Sequence, residues 1–271
     1  MRLTVRHQTA YHYEQPIAAA AQVLRLSPRP YQGLTVHRWS VRAGHRTLRS
    51  FIDGFGNVTH CHYVNAPHAE AVISVEGEVE TTNTHGIVRG ASEPLPPAFF
   101  LRQTALTLPD AAIADLARSV PSKVSVLKQL HALLNAVRDR VDYRVGATDS
   151  DTSAAEALAS GAGVCQDHAH LFIAAARYLG IPARYIGGYL WTSEEMREYQ
   201  ATHAWAEAFV HDLGWVGFDP SNRICPTEAY IRTGVGLDYA SAAPVRGIRR
   251  GGTAENLDVK VSVTQAGSEQ Q

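Results

Sequence analysis

The sequence predicts an α+β protein with a β-sandwich-like N-terminal domain over residues 1–92 and a mixed helix-and-strand domain over 98–250. Three observations carry this expectation. Side chains in the first third alternate between polar and apolar, the period-two signature of half-buried strands. The segment Glu93-Pro94-Leu95-Pro96-Pro97 then breaks the pattern with residues that continue neither a helix nor a central strand. Beyond it, apolar residues recur every three and four positions before alternation returns, and helices followed by antiparallel strands are the α+β order.

In the first third, Leu3 and Val5, the run Thr9-Ala10-Tyr11-His12-Tyr13, and residues 36–41 alternate. The turn dipeptides Asp53-Gly54 and Gly56-Asn57 separate strands expected at 50–52 and 58–64, and another strand is expected at 71–79. After the proline-rich linker, Ile113, Leu116 and Ala117 share one helical face. A second helix is expected over 124–141, where Leu127, Leu130, Leu134 and Val137 repeat at helical spacing. A third is expected over 166–179, stopped by Gly180. Strands follow at 184–190, 204–210 and 215–218. Residues 257–263 alternate cleanly and predict a last strand returning to the N-terminal sheet, with a disordered tail over 265–271.

Composition narrows the function. Twenty-five Lys and Arg stand against 26 Asp and Glu, a formal charge of -1, so no basic face for nucleic acid is expected. No run approaches the roughly 18–20 apolar residues that cross a bilayer, and no membrane partner is expected. Residues 1–16 read as a strand and not as a signal peptide. The three cysteines, Cys61, Cys165 and Cys225, are too sparse for a disulfide framework, which fits a reducing, cytoplasmic setting. The sequence implies no oligomeric state.

The chemistry concentrates in Gly161-Ala162-Gly163-Val164-Cys165-Gln166-Asp167-His168. A glycine-rich turn delivers a cysteine to the start of an apolar helix. A helix N-terminus offers unpaired N–H groups and partial positive charge, which stabilise a thiolate and an oxyanion formed beside it. Such a nucleophile needs an imidazole, and His203 opens the alternating stretch Thr202-His203-Ala204-Trp205-Ala206-Glu207. The imidazole in turn needs an orienting acceptor; Asp219, at the end of the next strand, can lie beside His203 if the two strands pair.

These frames, with Gly180-Ile181-Pro182-Ala183-Arg184-Tyr185 and Gly214-Trp215-Val216-Gly217-Phe218-Asp219-Pro220, resemble the bacterial transglutaminase-like family of the papain-like superfamily. The N-terminal third resembles that family's β module through Thr9-Ala10-Tyr11-His12-Tyr13, Pro28-Arg29 and Asp53-Gly54-Phe55-Gly56-Asn57. The resemblance implies a papain-like transglutaminase core in which Cys165 is nucleophile, His203 acid and base, and Asp219 orienter. It implies thiol-dependent acyl transfer on a peptide or protein amide, ending in hydrolysis or in transfer to a primary amine. A non-catalytic peptide- or partner-binding scaffold is the alternative, because the family includes members without demonstrated catalysis.

Further expectations are narrower. Gln166, Arg184, Tyr189 and Trp205 are candidate substrate-binding residues, and the Cys165 amide and Tyr143 are candidate oxyanion donors. No cofactor is implied. His60 with His62, and Cys165 with His168, are the nearest approaches to metal pairs, each lacking further spaced ligands. Cys61 and Cys225 read as packing residues, with a disulfide between them left open.

Overall fold

The computed structural model describes residues 1–192 and 202–265. The alternation of the first third becomes β1 (Arg2–Ser27), β2 (Leu34–Ala43), β3 (Arg46–Thr47), β4 (Ser50–Ile52), β5 (Val58–Val64) and β6 (His68–Thr81). The short β7 (Ile87–Val88) follows, and then the helical half opens with α1 (Ala111–Ser119) and α2 (Val126–Arg140). Next come β8 (Asp142–Tyr143), α3 (Ala154–Ser160), β9 (Ala162–Gly163) and α4 (Cys165–Tyr178). Strands β10 (Ala183–Leu190), β11 (Thr202–Val210), β12 (Gly214–Phe218) and β13 (Tyr230–Gly236) precede α5 (Tyr239–Ala242), β14 (Val245–Gly251) and β15 (Glu255–Gln265).

β1 is the spine of an eight-stranded antiparallel sheet. Its first half pairs with β6 on one side and β15 on the other, and its second half with β5 and β14. The ladder with β6 slips between His12 and Ile17, around Pro16, which has no N–H to contribute. Leu24, Leu26, Val41, Ile73 and Val75 pack together inside this curled sheet.

The second half is built on α4, whose run from Ala169 to Ala176 is wholly buried. A helix apolar on every side must be covered on every side. α1, α2 and α3 cover one flank and the antiparallel sheet β13-β10-β11-β12-β7 the other. Among the described residues, no helix is long and apolar enough to cross a membrane.

Two strands cross the expected domain limits. β7, within 1–92, extends the second sheet by pairing with β12, and β14, almost all of it within 98–250, extends the first by pairing with β1. Each satisfies an edge that would otherwise lie open. β15 runs along the first half of β1, and Gln265, expected to open a disordered tail, pairs there with Leu3; residues 266–271 lie outside the described residues. Leu3, Val5 and Val263 from the first sheet share one cluster with Tyr189 and Ile231 from the second, so the two halves are joined by apolar packing.

Arg184 occupies the buried joint between linker and core. Its Nε donates to Glu207 Oε2 at 2.7 Å, its Nη1 and Nη2 to Glu93 at 2.5 and 2.9 Å, and its guanidinium lies 3.8 Å from the Trp215 ring centroid. Arg232 completes the Glu207 pairing at 2.8 Å. Burial by itself raises the Glu207 carboxyl, but Arg232 and Arg184 together hold it below its ordinary range. Removing one partner of such a network strands the other charge. Arg184→Ala should therefore cost about 3–5 kcal/mol, read as a lowered urea midpoint; a loss under 1 kcal/mol would show that the joint carries no stability.

Candidate active site

α3 ends at Gly161, whose φ of 68° is the left-handed cap glycine adopts most readily. β9 then pairs in parallel with β8, and α4 begins at Cys165. Asp167 staples this start: its Oδ2 accepts from the Val164 N–H at 2.7 Å and from the Thr148 hydroxyl at 2.6 Å. Gly163 is demanded by the staple, because a Cβ there would sit 2.8 Å from the Asp167 side chain. Cys165 thus occupies the first turn of a firmly anchored helix, where N–H groups lack intrahelical acceptors.

β11 and β12 pair directly and bring His203 to Asp219. His203 Nε2–H donates to Asp219 Oδ2 at 2.7 Å. Cys165 lines the same cavity as His203, and its charge adds to that of Asp219 in raising the imidazole. Asp219 therefore holds His203 on the cavity that Cys165 also lines. Asp219 is fully buried, and its Oδ2 additionally accepts from the Tyr230 hydroxyl and from Asn222 Nδ2, each at 2.7 Å.

Charge follows from this wiring. Burial pulls the His203 imidazole down, but the charges of Asp219 and Cys165 outweigh it and lift it to about 10. Burial likewise pushes the Asp219 carboxyl up, and His203, Tyr230 and Asn222 together reverse that and hold it below its ordinary range. Burial, then Asp219, drive the Tyr230 phenol far above its usual range, so it stays a donor. His168 is a different kind of histidine. Its ring nitrogens meet Ser221 Oγ at 2.8 Å and the Val141 carbonyl at 3.0 Å, and burial lowers it to about 4.

Cys165 and His203 open onto a cavity of about 360 Å³. One wall is the second half of the protein. The other is the N-terminal sheet, including His7, Thr9 and Arg25 of β1. Gly188 of β10 pairs with His203 and leaves room beside it; a Cβ at Gly188 would lie 2.1 Å from the Ile231 carbonyl oxygen.

The transglutaminase-like superfamily core matches residues 114–220, which include Cys165, His203 and Asp219, and the bacterial transglutaminase-like N-terminal region matches residues 3–80. An uncharacterized protein of Mycobacterium leprae is 34% identical over 97% of this chain and 99% of its own length. One from Mycobacterium tuberculosis is 30% identical over 97% and 91%. The chain belongs to the transglutaminase-like superfamily. A crystal structure from Cytophaga hutchinsonii with a provisional cysteine-protease name is similar in fold along the whole chain. It has a TM-score of 0.79 at 21% identity and covers 100% of this chain and 92% of its own.

Against this transglutaminase-like frame, the other expected site residues separate. Gln166 lines the cavity, with Nε2 donating to the Ser150 carbonyl at 3.2 Å. Tyr189 also lines it, but its hydroxyl is held by His7 Nδ1 at 3.0 Å and the ring is fully buried. Arg184 does not reach the cavity, because its donors are consumed by Glu93 and Glu207. Trp205 stands behind the imidazole, with ring centroids 6.2 Å apart and planes at 24°, and is not part of the cavity wall. Tyr143 is close enough to Cys165 and Asp219 that their charges add to burial in raising its phenol to about 12. Sequence reasoning missed Tyr230 and Asn222. Asn222 carried a signal in its spacing, three residues after Asp219 of a turn-forming Asp-Pro.

Among the described residues no group of three or more His, Cys, Asp or Glu is arranged to hold a metal. His60 is spent on Ser27 and the Leu48 carbonyl, and His62 on Gln22. All three cysteines are free thiols; Cys61 is exposed and Cys225 half-buried.

Because folding raises His203 from 6.5 to about 10, the stability this charge contributes is complete below pH 6.5 and is lost as pH rises through about 10. The urea-midpoint gap between wild type and His203→Gln should narrow between pH 6 and pH 10.5. A gap constant over that range would sink the ion-pair assignment.

Proposed function

We propose that the protein is a thiol-dependent enzyme acting on a peptide or protein amide. The observation that carries this reading is the His203 imidazole, hydrogen-bonded to the buried Asp219 carboxylate and lining one cavity with Cys165 at the start of α4. In this reading the Cys165 thiolate attacks the amide carbonyl, and the helix N-terminus, with the Cys165 N–H, receives the negative charge that develops on oxygen. The C–N bond breaks as the imidazolium passes its proton to the departing amine, leaving a thioester on Cys165. The neutral imidazole then takes a proton from water or from a primary amine, which attacks the thioester and restores the thiol. Asp219 keeps the ring oriented and stabilises its charged form.

The same three groups serve hydrolysis and amine transfer alike. We favour hydrolysis, as an amidase or protease, because the sequence has no feature dedicated to a second, amine substrate.

A thiolate held by imidazolium alkylates well below the ordinary cysteine range of about 8.5. Iodoacetamide at pH 6 should label Cys165 at least tenfold faster than it labels free cysteine, and Cys165→Ala should abolish turnover while retaining the fold. Equal labelling rates would remove the activated nucleophile from the proposal. Glutaminyl peptides incubated with and without a primary amine, followed by intact mass, should give the acid in both cases. A product carrying the amine would reassign the reaction to transfer.

A further inference from the structure

The turn Asp53-Gly54-Phe55-Gly56-Asn57 lies in the N-terminal domain, far in sequence from the thiol, yet it reaches the second half of the molecule. Asn57 Nδ2 donates to the Val235 carbonyl and Val235 N–H donates to Asn57 Oδ1, both at 2.8 Å, a two-bond clamp onto β13. The same turn folds around Asp53, whose Oδ1 accepts from the Phe55 and Asn57 N–H groups at 2.9 and 3.0 Å. Asp53 Oδ2 accepts from Arg25 Nε at 2.9 Å. Burial works to raise the Asp53 carboxyl, but the donors of Asn57, Arg25 and Phe55 hold it below its ordinary range.

This wiring fixes Arg25 in space relative to Cys165. Along β1, Leu24 and Leu26 pack in the core of the curled sheet, and Arg25 between them lines, with Leu26, the cavity shared with Cys165 and His203. Its side chain is only 14% exposed. Nε is its one guanidinium nitrogen with an acceptor, and Nη1 is buried without one, among the described residues. Buried guanidinium donors are ordinarily paired, and their fork matches a carboxylate. No Asp or Glu is present among the described residues that line the cavity.

We propose that Arg25 is a specificity-determining residue that holds a carboxylate of the amide substrate while Cys165 attacks the scissile carbonyl. The site thereby prefers acidic amides, and the N-terminal domain supplies the recognition. The carboxylate belongs either to an acidic side chain or to a peptide C-terminus; both present the same two oxygens to the guanidinium. The inference rests on Cys165 as the reactive thiol, and its test is separable from amide turnover.

Alkylation of Cys165 by iodoacetate and by iodoacetamide compares an anionic with a neutral reagent at one sulfur. In wild type the ratio of the two rates should exceed that of Arg25→Gln by about tenfold, the scale of one charge-assisted contact, with Arg25→Lys between them. A folded Arg25→Gln protein with an unchanged ratio would overturn the anchor while leaving the nucleophile in place. Failure of Cys165 to label with iodoacetamide at pH 6 would instead strike the underlying reading. Should Arg25→Gln not fold, wild type alone decides. Acetyl-Glu-Ala-amide or acetyl-Ala-Ala with a free C-terminus should protect Cys165 from iodoacetamide at concentrations about tenfold lower than acetyl-Gln-Ala-amide. Whichever of the two protects identifies the source of the carboxylate, and equal protection by all three peptides refutes the proposal.

Discussion

A carboxylate taken out of water keeps its charge only where donors replace the water it has lost. Asp219 meets this condition through one oxygen that collects the imidazole of His203, the Tyr230 hydroxyl and the Asn222 amide. The three donors come from β11, from the turn after β12 and from β13, so the charge can be held only when these segments are in place together. The imidazole is then held charged on the cavity that Cys165 lines. The order of β11 against β12, the Asp-Pro turn and the position of β13 all answer to that one buried charge.

The thiol is positioned by an independent device. The Asp167 staple, with the lack of a side chain at Gly163, defines where α4 begins and hence where Cys165 stands. The alanine-rich apolar body of α4 lets helices close on one side and a sheet on the other, which keeps the helix start from moving relative to His203. Mechanical support and chemistry therefore reside in the same element.

The N-terminal sheet is more than an appended module. β14 and β15 return from the far end of the chain to pair with both halves of β1, so this sheet is completed only after the second half has been made. It closes the cavity opposite the thiol, and Asn57 and the Leu3–Tyr189–Ile231 cluster hold it there. Arg184 shows the same long-range logic in the linker: a stiff proline-rich segment carries Glu93 into a charge network with β10 and β11.

Much of this was legible in residues close together along the chain. Strand alternation, the helix start at Cys165 and the frames around His203 and Asp219 are local patterns, set by backbone period and turn chemistry. The structure places His203 against Asp219 and on one cavity with Cys165. α3 had a local signature that was not used, the reciprocal capping of Ser153 and Glu156. What only the tertiary structure decided concerns partners distant in sequence. Arg184 reads in sequence as a groove-lining arginine, and its burial depends on Glu93, 91 residues away. Tyr230 reads as an ordinary strand tyrosine until β13 brings it to Asp219. Arg25 reads as an ordinary strand arginine until the Asp53 turn, clamped to Val235, pairs with it beside the cavity. The sequence determined that Cys165 would open a helix and that His203 and Asp219 would stand at the start and end of neighbouring strands, because short-range sterics and hydrogen bonding specify helix starts and strand ends. The tertiary structure decided which charges are buried, which are paired and which face the cavity, because burial is a property of the segments packed around a residue and not of its neighbours along the chain.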